Sequence, residues 1–230
     1  GDDSMKYKTL DELFKAWKTE QAEEDDGSCA KTFPKSDGET PNYKDFKASF
    51  CPDGFLSNKK FNGVLIIQKE PNVFDKHAGK CIAETNDSFW FRDGNEENDS
   101  TLKHYRNNAN KYLHQLIGED YTLEECAYMN LNKRGGYGST NNTQLNNYVY
   151  KNNYNYQEYI ANEIKIIKPT HIICCGVYGS IEKQFADSIG ERTYIFDCYH
   201  LSYSNLKCKH VAKKENGKVQ VVSNKEETIR

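Results

Sequence analysis

Three polar side chains stand where apolar stretches stop. Asn130 directly follows Cys126-Ala127-Tyr128-Met129, while Glu70 follows Val64-Leu65-Ile66-Ile67-Gln68 and His200 follows Tyr194-Ile195-Phe196-Asp197-Cys198, each by two residues. A carboxylate can orient or deprotonate water and face a developing positive charge. A primary amide donates and accepts hydrogen bonds at once. An imidazole titrates near neutral pH and, when neutral, still offers one N–H. Glu70 is also held ahead of Pro71, which restricts its backbone to extended conformations.

The elements that must position these groups follow from the apolar pattern. Four branched residues in a row, bounded by Gly63 and Pro71-Asn72, read as a short strand buried on both faces. Residues 126–132, 171–176 and 194–198 read as three more strands. Thr9-Leu10-Asp11-Glu12 is a capping box opening a helix that runs to about Ala22. Further helices are expected over 100–117, over 159–167 ahead of Pro169, and over 181–189 after a turn at Gly176. Strands alternating with helices predict an α/β fold, a three-layer α/β/α domain with a central, mainly parallel four-stranded sheet. In such sheets ligands collect at the carboxyl ends of the strands, where Glu70, Asn130 and His200 lie. Residues 1–62 are expected to be a helix and an irregular wrapping segment, 63–212 the core, and 213–230 a tail with Val219–Val222 as an edge strand. Between Glu70 and Asp99 a long loop carries Phe89-Trp90-Phe91-Arg92, too apolar to be left in water. Residues 141–156, crowded with Asn and Tyr, read as a compositional bias.

A chain of 230 residues is long enough for a real core, and 16 Tyr with 11 Phe offset a hydrophobic content of only 37%. The net charge of −3 argues against a protein living on nonspecific nucleic-acid affinity, while leaving room for a local basic rim. Eight cysteines contain no C-x-x-C, so reduced, mostly buried thiols and a cytoplasmic location are expected. No apolar run reaches transmembrane length, and no membrane partner is expected. Cys198-x-His200 and Cys208-x-His210 repeat a C-x-H pair, but the order of zinc-finger spacings is missing, so no metal is expected.

From Gly63 to Leu206 the chain resembles the uracil-DNA glycosylase superfamily. Ile67-Gln68-Lys69-Glu70-Pro71-Asn72 stands for the family's apolar strand followed by G-Q-D-P-Y. Asn130-Leu131-Asn132-Lys133-Arg134-Gly135-Gly136 stands for its strand ending in Asn, sometimes N-x-x-K. Pro169 and Ile172 to Gly176 match its Pro and apolar strand, and His200-Leu201-Ser202 stands for H-P-S. The resemblance implies a monomeric, cofactor-free enzyme that flips an aberrant base, most readily uracil, out of single- or double-stranded DNA and hydrolyses its glycosidic bond. A non-catalytic relative binding a nucleobase or nucleic acid is the alternative.

The roles implied are chemically coherent. Glu70 would act on the water and on the oxocarbenium-like sugar, and His200 would donate to the departing base. Asn130 would read the base edge, Phe89 or Phe91 would stack on it, and Ser202, Lys207 and Lys209 would hold phosphates. The departures are specific. Gln68 and Lys69 replace G-Q, Glu70 replaces Asp, Asn72 stands where the uracil-specific branch has Tyr, and Leu201 replaces the Pro of H-P-S. The C-x-x-C and two further cysteines of the iron–sulfur branches are missing, so no cluster is expected.

Overall fold

The structure is a computed structural model. It describes residues 5–23, 50–71, 74–75, 80–81, 89–134, 142–150, 154–224 and 226–229. The wrapping segment expected before Asn62 therefore lies largely outside the described residues, as do Asn72 and Gly135-Gly136 of the motifs. In chain order the elements are α1 (Leu10–Glu23), β1 (Gly54–Phe55), β2 (Val64–Gln68), β3 (Phe74–Asp75) and β4 (Lys80–Cys81). They continue with α2 (Trp90–Asp93), α3 (Ser100–Leu116), β5 (Ala127–Asn130), α4 (Asn142–Tyr150) and α5 (Tyr156–Ile167). The last are β6 (His171–Cys175), α6 (Tyr178–Gln184), β7 (Tyr194–Cys198), β8 (Leu206–Glu215), β9 (Lys218–Ser223) and β10 (Glu227–Ile229). The chain forms two compact units, one from Gly1–Pro52, Lys69–Ser88 and Asn130–Ile166, the other from Asp53–Gln68, Phe89–Met129 and Ile167–Arg230.

The second unit holds the main sheet. Its order is β1-β5-β2-β6-β7-β8-β10, with β9 also paired to β8, so it has eight strands where four were expected. The four apolar strands read from the sequence are neighbours within it. β2, β6 and β7 pair in parallel. β5 runs the same way as β2, because Asn62 N donates to Glu125 O and Asn132 N to Lys69 O, stepping along both strands together. The remaining pairings, β1 with β5 and β8 with β7, β9 and β10, are antiparallel. The sheet is thus mixed rather than mainly parallel. What hid β8 is its composition: Leu206-Lys207-Cys208-Lys209-His210 alternates with charge and looks like a solvated run. The signal was Asn216-Gly217, both at positive φ (52° and 76°), the dipeptide that closes a two-residue hairpin.

Val64, Ile66, Tyr128, Ile173, Cys175, Phe196 and Cys198 pack with Leu102, Ala109, Tyr112 and Leu113 of α3 in one cluster. This places α3 on one face of the sheet. Asp99 caps α3, accepting from Leu102 N at 2.9 Å, and its other oxygen takes the Trp90 indole at 2.7 Å. α6 lies on the opposite face, where its Tyr178 meets His210. The expected long loop thus contains α2.

In the first unit the capping box is formed as read: Glu12 N donates to Thr9 Oγ1 and Thr9 N to Glu12 Oε2. Leu13, Trp17 and Gln21 follow on the buried face of α1 at a spacing of four. Trp17 Nε1 donates to the Tyr148 hydroxyl at 2.8 Å, which donates to Gln21 Oε1 at 2.7 Å. The Asn- and Tyr-rich stretch is therefore structural: α4 supplies Tyr148, fully buried and stacked on Tyr156. Cys126, Cys174, Cys175, Cys198 and Cys208 are free, buried thiols, and Cys51 is buried as well. Among the described residues no helix is long and apolar enough to cross a membrane.

Candidate functional site

The best-built candidate is the loop that leaves β7 and carries His200. The Ser202 backbone N–H donates to His200 Nδ1 at 3.2 Å, and the Ser202 hydroxyl lies 2.9 Å from the same nitrogen. A backbone N–H can only donate, so Nδ1 is the acceptor and the neutral ring carries its proton on Nε2. The Tyr105 ring sits edge-on to His200 at 5.6 Å. Burial pushes the Tyr105 hydroxyl above its ordinary range, and its hydrogen bond to Ser202 pulls the other way.

α3 holds this loop in place. Asn108 donates to Leu201 O at 2.8 Å and to Tyr203 O at 3.1 Å. The Tyr112 hydroxyl, likewise shifted upward by burial, is shared between Tyr199 O and Lys207 O. The Leu201 side chain is fully buried, which anchors the loop where the family pattern has Pro. Asn108 was missed in the sequence. Its signal was a polar residue at the core spacing of an amphipathic helix, between Tyr105 and Tyr112.

Glu70 and Asn130 belong to the other unit. Asn132, 2% exposed, donates from Nδ2 to Glu70 Oε2 at 3.2 Å. Its Oδ1 accepts from Arg134 N at 2.9 Å, which fixes the amide's orientation. An amide that donates to the carboxylate is therefore Asn132, whereas Asn130 was singled out from sequence for the base edge. Asn130 is itself buried, and its backbone carbonyl accepts from the Lys133 ammonium at 2.8 Å.

The remaining candidates are placed as follows. Phe91 is 1% exposed and stacks face to face on Tyr128, centroids 4.1 Å apart at 9°. Phe89 is buried in the same cluster. These rings belong to the core, because the face a base would need is already covered. Ser202 is tied to His200 as described. Lys207 pairs with Glu226 at 2.6 Å, and Lys209 Nζ lies 3.7 Å from Asp197 Oδ2. Cys198 and Cys208 are direct partners across β7 and β8. Among the described residues no group of three or more His, Cys, Asp or Glu is placed to hold a metal.

Comparison of the chain with protein-family models, with characterised proteins and with solved structures finds no match.

Proposed function

We propose that the protein is a glycosylase-like enzyme in which the His200 loop donates a hydrogen bond to a departing nucleobase, most readily uracil from DNA. The observation that carries this is the Ser202 N–H to His200 Nδ1 bond, which leaves the N–H on Nε2 without requiring a charged ring. A preorganised neutral donor suits a leaving group that departs as an anion, since it stabilises the charge as it forms. In this reading β5, β2, β6 and β7 are the core of a three-layer, glycosylase-like domain, with the antiparallel strands appended. The resemblance gives Glu70 the water and the sugar, and the Asn132 bond to its carboxylate supports an oriented base. The base-reading amide and the stacking ring are left unassigned.

A second reading is favoured by one observation. Lys207 and Lys209 already sit beside Glu226 and Asp197, which weakens a grip on polymer phosphates. That suits a non-catalytic relative binding a free nucleobase or nucleoside. Incubation with single- and double-stranded oligonucleotides containing uracil, scored for abasic sites, separates the two. Abasic sites formed by the wild type and not by a Glu70→Ala, His200→Ala double variant support the enzyme. Saturable uracil binding without turnover supports the second reading.

A further inference from the structure

Among the described residues the main sheet has three edge strands, and they are not alike. β1 is two residues long and β10 three, lengths that offer little to another strand. β9 is six residues, Lys218-Val219-Gln220-Val221-Val222-Ser223, and its one partner among the described residues is β8. It carries a single charge, Lys218, and no proline. Val221 and Val222 are 45% and 54% exposed, two of the four large apolar side chains left in solvent among the described residues. Edge strands are ordinarily blunted by brevity, charge or proline, and Val219 to Val221 have none of these.

The hydrogen-bond phase of β8 fixes which groups of β9 face outward. Lys214 N donates to Thr193 O at 2.9 Å, and Lys214 O accepts from Arg192 N at 2.8 Å, so the Lys214 backbone is turned toward the β7 side. Its neighbours Lys213 and Glu215 are turned the other way, toward their partners Gln220 and Lys218. Alternation then turns the N–H and C=O of Val219 and Val221 to the open edge. The ladder shifts between Val211 and Ala212, leaving Val222 as the extra residue of a bulge, so the regular stretch stops at Val221.

Two outward-facing residues with one between them make a self-complementary pattern. About a two-fold axis at Gln220, an antiparallel copy sets Val219 against Val221 of the second copy, and Val221 against its Val219. Both pairs then exchange both of their backbone hydrogen bonds. Moving the axis to Val219 or to Val221 leaves only that residue paired. With the axis at Gln220 the valines of both copies meet on one face as cross-strand pairs. Gln220 faces its own copy in a non-hydrogen-bonded pair, where side chains come closest. Lys218 falls opposite Val222, away from Lys218 of the second copy, so like charges do not meet. We propose that β9 is a docking edge for a second copy of this chain, pairing antiparallel about Gln220 and joining two main sheets into one. This dimer departs from the monomer that the resemblance implies, and it does not depend on the glycosylase reading.

The test is sedimentation equilibrium of the full chain from about 10 μM to about 1 mM, the range suited to a small strand-pairing interface. The expected result is a reversible monomer–dimer equilibrium that saturates at the dimer. Gln220→Lys and Gln220→Glu, at an exposed position, each set like charges opposite one another and should weaken the dimer about fivefold. An equimolar mixture of the two variants should dimerise at least as tightly as the wild type, because an axis at Gln220 brings that position against itself. Val221→Pro removes an outward N–H without touching a bond to β8 and should weaken the dimer about tenfold or more. A wild type that stays monomeric to about 1 mM would overturn the proposal, even if the edge takes up a strand from another protein. So would association that continues beyond the dimer, Gln220 or Val221 variants that dimerise like the wild type, or a mixture no tighter than its components. Should Val221→Pro fail to fold, the two Gln220 variants decide alone.

Discussion

Lys133 and Glu163 set up the sharpest energetic prediction. Both side chains are fully buried, with Nζ 2.8 Å from Glu163 Oε2. The ammonium also donates to Asn130 O at 2.8 Å and stands 5.5 Å and 5.1 Å from the Phe14 and Trp17 ring centroids. Lys133→Met removes the cation and leaves a carboxylate in a site closed to water. Breaking such a pair from one side costs about 3–5 kcal/mol, most of it the penalty of the charge left behind. For a chain of this length that corresponds to a fall in Tm of roughly 6–20 °C. The double variant Lys133→Met, Glu163→Leu removes both charges and fills the space, so it is expected to recover most of the loss. Urea unfolding followed by tryptophan fluorescence, with Trp17 fully buried, reads all three proteins. A Lys133→Met midpoint equal to that of the wild type would refute the reasoning. A double variant as destabilised as Lys133→Met, or more so, would refute it as well.

Gly63 sits at φ 90°, and a Cβ there would clash with Thr170 Oγ1. Gly63→Ala is expected to cost about 1–2 kcal/mol from the left-handed backbone alone, with more from the clash, read as a lower urea midpoint. Burial against Tyr194 and Phe196 lowers the His171 pKa below its usual 6.5. The unfolded chain therefore takes up this proton first as the pH falls. The stability His171 contributes is complete above 6.5 and is lost below it. His171→Gln should flatten the fall in urea midpoint between about pH 7 and pH 5, and an unchanged slope would count against this assignment. Asn108→Ala frees the Leu201 and Tyr203 carbonyls. It should raise amide exchange across 199–203 while lowering overall stability by only about 1–2 kcal/mol.

The legible parts of the fold were those with a strong local signal. β2, β5, β6 and β7 are runs of branched and aromatic residues, and the Thr9–Glu12 box marks the start of α1 directly. β8 was hidden because its apolar positions alternate with Lys207, Lys209 and Lys213, and pairing on both edges supplied order that the sequence did not advertise. Lys133 reads as a surface charge after a strand end. Its burial depends on Glu163, Phe14 and Trp17, residues between 30 and 119 positions away in the chain. The site divides similarly. His200 and Glu70 were visible as polar groups at strand ends, but their immediate partners depend on packing. Ser202 turns out to orient the imidazole, Asn132 reaches the carboxylate, and Phe89 and Phe91 are held in the core.

The role proposed for the His200 Nε2–H is to stabilise a departing base. Single-turnover release of uracil from a uracil-containing oligonucleotide, wild type against His200→Ala, measures this directly. Loss of one preorganised donor should slow release by about 10²–10³-fold with little change in DNA affinity. Equal rates for the two proteins, or no release by the wild type, would contradict it.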